Sequence, residues 1–104
     1  MRFAHSLALV FAVCLSPSLY AEGTSYIADF KAVDSALARH PAKFTGNPDV
    51  DFRNELIARR QNIIDISEVA LSRANDPATI DFAQATIEKQ KREIAELQRW
   101  IDKH

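Results

Sequence analysis

Two adjacent arginines, Arg59 and Arg60, stand in the middle of an apolar helical stripe. Phe52, Leu56, Ile63, Ile66 and Ala70 recur at spacings of four, seven, three and four, and the gap between Leu56 and Ile63 falls on Arg59. A sparser row, Ile57, Ile64 and Leu71, has heptad spacing and passes over Arg60 and later over Ser67. A guanidinium keeps its proton and accepts nothing, so it cannot be a metal ligand or a base. Its chemistry is pairing: a planar fork of donors that fits a carboxylate. Gln90 is the polar member of a third-helix seam, Ile80, Ala83, Ile87, Gln90, Ile94, Leu97 and Ile101. It can accept from an arginine across the fold, or simply set helix register. The plainer reading of either arginine is a stem laid on apolar surface with its head in water. Neighbours on a helix point ~100° apart, so one of the pair can face out while the other faces in.

Three helices are needed to position these groups. Thr24 or Ser25 can cap a first helix over 25–39, whose buried face is Ile27, Phe30, Val33 and Leu37. His40-Pro41 ends it, because a residue before proline is pushed out of the α region. Phe44, in the connection, is expected to tuck onto the helices. Asn47-Pro48 opens a second helix over 48–74, with Asp49 and Asp51 at the positive end of its dipole. Asn75-Asp76-Pro77 reads as a stop and restart, with Asn75 in the left-handed position and Asp76 as the next cap. The third helix is expected over 77–102. Glu88–Arg92, Lys89–Glu93 and Arg92–Glu96 are i,i+4 neighbours on its outer faces, and Trp100 reads as a cap on the end of the bundle. The sequence has no strand pattern and no repeat. The expected fold is all-α: a short N-terminal helix packed on a long antiparallel helical hairpin.

Residues 1–21 read as a cleavable secretory signal, and 22–104 as a single helical domain. Arg2 gives the positive start, Leu7–Leu15 is an apolar run too short for a bilayer, and Ala21 is a plausible last residue before the cut. Val13 before Cys14 does not suit lipidation. Arg2 is one of 13 basic residues against 14 acidic ones, so the mature chain carries a net charge of −2. No nucleic-acid footprint is present, and no stable membrane insertion is expected after cleavage. Met1 and Cys14 also leave with the signal, which removes every thiol and thioether. A domain this small without a disulfide has a thin core, and pairing with a second copy is one remedy.

Catalytic signatures are absent. The mature sequence has His40 and His104 alone, with no Gly-rich phosphate loop, nucleophile elbow or paired histidines. Gly23 and Gly46 both fall outside the expected helices. The chain is therefore read as non-enzymatic.

The block GNPDVDF, the Ile64-Asp65-Ile66 element, the Asn75-Asp76-Pro77 turn and QKREIAELQRWI from Gln90 to Ile101 resemble a family of small secreted helical proteins. It is the domain-of-unknown-function family three hundred and five, which includes CopM-like copper-binding proteins. The resemblance runs from Tyr26 to Ile101. It implies a ferritin-like bundle of three or four helices, in the periplasm or secreted, with copper or silver held by Met and His. The implied ligand positions are changed in this chain. Arg59-Arg60 stands where the family has a His-His pair, Ile66 and Leu97 stand at Met positions, and Phe30, Val33 and Asp34 fall at Met and His positions of the first helix. The resemblance thus implies the fold and the compartment, while the residues argue for a degenerate metal site with no cofactor. Arg59 or Arg60 is then expected to replace the metal with a built-in cation, facing Asp34 and reaching Gln90. Asp29 and Glu55 are weaker partners. The alternative is a working copper-binding protein that uses His40, His104 or surface carboxylates. A homodimer or an unidentified protein partner is a further expectation.

Overall fold

A computed structural model describes residues 18–39 and 42–104, with the side chains of 26–36 and 42–104. The described chain is all-α. Helix α1 runs Ser18–Arg39, α2 runs Pro48–Arg73 and α3 runs Pro77–Ile101. The α2 and α3 helices form an antiparallel hairpin, and α1 packs along α2.

Both hairpin helices start on sequence-encoded caps. Asn47 Oδ1 accepts from the Asp49 amide at 3.0 Å. Asp76 Oδ2 accepts from the Thr79 amide at 3.0 Å and from the Thr79 hydroxyl at 2.8 Å. Proline follows each cap, where its missing N–H costs nothing. Asp51 does more than face the helix dipole. Its carboxylate folds back over the preceding loop and accepts from the Thr45 amide at 2.6 Å, the Thr45 hydroxyl at 2.8 Å and the Gly46 amide at 3.0 Å. These donors, the Thr45 amide first, hold the Asp51 carboxyl below its ordinary value. Gly46 turns that loop at φ 88°, a conformation that needs glycine.

Several expectations are corrected. Helix α1 begins at Ser18, so Thr24 and Ser25 lie inside it and do not cap it. Gly23 is also helical, because a single glycine costs only about 1 kcal/mol against alanine among good helix formers. The expected signal segment lies outside the described residues up to position 17. Between α2 and α3 the stop is made by Ala74 in an extended conformation (φ −74°, ψ 147°). Asn75 is not left-handed, and no described residue other than Gly46 has positive φ. Phe44 is 71% exposed and is not tucked onto the helices.

The α2 row Ile57, Arg60, Ile64, Ser67 and Leu71 faces α3. Ile64 and Ser67 are buried there against Ala83, Ile87 and Gln90 of the α3 seam. The Ser67 hydroxyl satisfies itself on the Ile63 carbonyl at 2.8 Å. Helix α1 meets α2 by other side chains. Arg73 Nε and Nη2 both reach Asp29 Oδ2 at 2.8 Å, and Asn62 Nδ2 reaches the Val33 carbonyl at 3.4 Å. Tyr26 and Phe30, edge to face at 6.3 Å, line a groove with Ala70, Ala74 and Thr79. The buried apolar set among the described residues is Val50, Ile64, Ala83 and Ile87, with no side chain fully enclosed. That is a thin core for three helices. No described helix is long and apolar enough to cross a membrane.

Candidate functional site: an arginine held across the hairpin

Arg60 points from the middle of α2 into the α2–α3 seam. Its Nη1 donates to Gln90 Oε1 at 3.0 Å and also to Glu93 Oε2. The Arg60 and Glu93 side chains are 27% and 30% exposed, so the pair sits at the margin of the core. Gln90 beneath them is buried. Arg60 Nε is buried too and has no hydrogen-bond partner. An unsatisfied buried donor costs about 1–3 kcal/mol. The arrangement is therefore one cation, one carboxylate and one amide tying the two long helices together at mid-height.

Of the residues singled out in the sequence, Arg60 and Gln90 meet here and the others do not. Arg59 is exposed and lies 3.5 Å from Glu55, one turn before it on the same helix. Such a surface pair contributes little. Asp34 is exposed on α1 and has no ion pair among the described residues. Asp29 is committed to Arg73. The carboxylate that faces Arg60 is Glu93, which sequence reasoning had placed on the solvated outer face. The available signal was its position: Glu93 is one turn beyond the polar seam residue Gln90, so the two reach the same level.

A second cluster closes the open end of the hairpin. The Arg53 guanidinium lies 3.4 Å over the Trp100 ring, and the His104 ring stacks on Trp100 at 3.8 Å and 8°. Arg53 is fixed by a 2.8 Å bond from Nη1 to the Asp49 carbonyl, and His104 Nδ1 lies 2.7 Å from the Trp100 carbonyl. Trp100 is thus enclosed by two planar groups at the end of the bundle, where the sequence placed it as a cap.

Metal-binding capacity can be tested on the donors. Among the described residues no group of three or more His, Cys, Asp or Glu side chains is placed to hold an ion. At the positions where the family resemblance implies copper ligands stand Arg59, Arg60, Ile66 and Leu97, and the Arg60 guanidinium is taken up by Glu93 and Gln90. This set does not fit a copper ion, because the guanidinium repels it and nothing soft remains. His40 lies outside the described residues.

The sequence of the two long helices places the chain in a family of helical domains. Residues 49–104 match the family "Domain of unknown function (DUF305)", and the chain belongs to it. The match covers α2 and α3 in nearly their whole length and leaves α1 outside. No curated protein matches the chain, and no solved structure matches it.

Proposed function

We propose that this chain is a non-enzymatic helical module of the periplasm or the extracellular space, a binding or structural protein whose metal site has been replaced by an internal ion pair. The observation that carries this reading is the Arg60 guanidinium bound to both Gln90 and Glu93 between the two long helices. A bound metal ion would draw helices together through shared ligands. Here a cation built into α2 does the same for α3, and it is present whatever the metal supply. The secretory reading of residues 1–21 supports the compartment. The likeness to CopM-like copper-binding proteins supports descent from a metal-handling bundle, and the residues at the ligand positions argue against retained copper binding.

The reading makes the fold independent of copper. Thermal unfolding of the exported protein, followed by circular dichroism, should give the same Tm with a copper chelator and with excess Cu(I) or Cu(II). A ligand at a hundred times its Kd adds about 2.7 kcal/mol to stability, which is several degrees for a domain of this size. A copper-dependent rise of that order would overturn the reading in favour of copper handling through His104, His40 or surface carboxylates.

A further inference from the structure

We propose that α1 is a releasable strap: it lifts off α2 as a unit while the α2–α3 hairpin stays folded, and the Asp29–Arg73 ion pair sets how often it does so. Two contacts of unlike strength carry this. Among the described residues α1 packs on α2, and α2 and α3 pack on each other. The α2–α3 contact buries Ile64 and Ser67 against Ala83, Ile87 and Gln90, and it closes over the Arg60 cluster. The α1 contact buries none of the described side chains of α1. Phe30 and Val33 are half-buried there, and Tyr26 and Ile27 are 44% and 39% exposed. A segment with so few buried apolar groups opens at a free energy well below that of the whole fold.

The polar contacts differ in the same direction. Parting α1 from α2 strands no charge. Arg73 and Asp29 are 44% and 39% exposed while paired, so each returns to water that it already touches. Asn62 Nδ2 reaches the Val33 carbonyl at 3.4 Å, a long bond to a group inside α1 that the helix's own hydrogen bonding serves when Asn62 lets go. Parting α3 from α2 is a larger step. It exposes Ile64, Ala83 and Ile87 together and breaks the tie of Arg60 to Gln90 and Glu93.

Among the described residues the ion pair between α1 and the hairpin is Asp29–Arg73. Arg73 stands in the last turn of α2, where the helix dipole favours a cation, so it keeps its place with or without α1. Because the pair is open to solvent, dissolved salt screens it and loosens the strap. Helical stability comes mostly from packing, so a released α1 frays and its amide protons exchange. The family match takes in α2 and α3 and leaves α1 outside, as two separable units allow.

The test is amide hydrogen exchange on the exported protein, read residue by residue by NMR. It is run at ~0.01 M and ~1 M salt, between which the screening length falls from about 30 Å to 3 Å. Asp29→Asn and Asp34→Asn are measured beside the parent; both positions are solvent-accessible, and Asp34 has no ion pair among the described residues. In the parent, amides over 29–36 should exchange at least ~100-fold faster, relative to their intrinsic rates, than those of Ile64, Ser67, Ile87 and Gln90. Asp29→Asn should speed the α1 amides about two- to fivefold, the share of an exposed ion pair, and leave the seam amides alone. Added salt should do the same in the parent and in Asp34→Asn, and nothing in Asp29→Asn. α1 and seam amides exchanging at one rate in the parent would overturn the proposal, because the three helices would then open as one. So would an α1 rate that Asp29→Asn leaves unchanged, or one that Asp34→Asn raises as much as Asp29→Asn does.

Discussion

Arg60 of α2 binds Gln90 and Glu93 of α3 through a single guanidinium nitrogen, Nη1, and leaves its own buried Nε without a partner. The cluster therefore depends on one donor group. Glu93 neutralises it and Gln90, at 3.0 Å, fixes its position. With both ionic side chains about a quarter to a third exposed, the pair lies between the surface and buried limits.

A double-mutant cycle on Arg60→Ala and Glu93→Ala is expected to give a coupling of about 1–2 kcal/mol, above the 0–1 of a surface pair and below the 3–5 lost when a buried partner is stranded. The same cycle with Asp34→Ala in place of Glu93→Ala is expected to give no coupling. Urea unfolding followed by dichroism provides both numbers. If Asp34 coupled to Arg60 and Glu93 did not, the site would have to be redrawn around α1.

Arg53 over Trp100 predicts an optical signature. Arg53→Ala should cost about 0.5–1 kcal/mol, the usual range for a cation over an aromatic face. Because Trp100 is the sole tryptophan, its fluorescence reads the site directly. The emission should move to longer wavelength in the variant as water replaces the guanidinium. An unchanged spectrum would place Arg53 away from the ring in solution.

Acid should loosen the starts of α2 and α3 together. Hydrogen bonds from Thr45 hold the Asp51 carboxyl below its ordinary value, and those from Thr79 do the same for Asp76. Both folded-state values lie below the unfolded value of about 3.9. Their contribution to stability is therefore complete above that value and is lost as pH falls through the lowered folded values. Asp76→Asn keeps a good N-cap and removes the titration. It should unfold near the parent Tm at pH 7 and lose less stability than the parent between pH 4 and pH 2. Identical acid profiles for the two proteins would contradict the assignment.

Gly46→Ala isolates a backbone effect. Nothing lies within 4 Å of the methyl group it would add, so no clash is introduced. The cost comes from placing a side chain at φ 88°, roughly 1–2 kcal/mol for a non-glycine residue. Chemical denaturation should report a loss of that order with helical content unchanged. A neutral substitution would mean that the loop relaxes around Asp51.

The sequence made the hairpin legible because its signals are local. Asn47-Pro48 and Asp76-Pro77 mark helix starts that the structure keeps, and the α3 seam repeats without interruption. The first helix was harder. Its early start depends on Gly23 being carried by its neighbours, which no local signal announces. The two arginines show where periodicity stops. Both apolar rows of α2 skip a residue, so either Arg59 or Arg60 could face inward. Only packing decides. The row of Ile57, Ile64 and Leu71 lies against α3 and turns Arg60 in, while the row of Phe52 and Ile63 runs along the open side and leaves Arg59 in water. Glu93 was hidden by its i,i+4 spacing from Lys89, which reads as surface charge until the facing helix is known.

The most direct test of the account is a competition titration of the exported protein with Cu(I) against a chromophoric chelator. The chain offers Arg60, Glu93 and Gln90 where a copper site would need thioether, thiol or imidazole donors, so the chelator should keep its copper at every protein concentration tried. Withdrawal of one Cu(I) per chain, tight and stoichiometric, would contradict it.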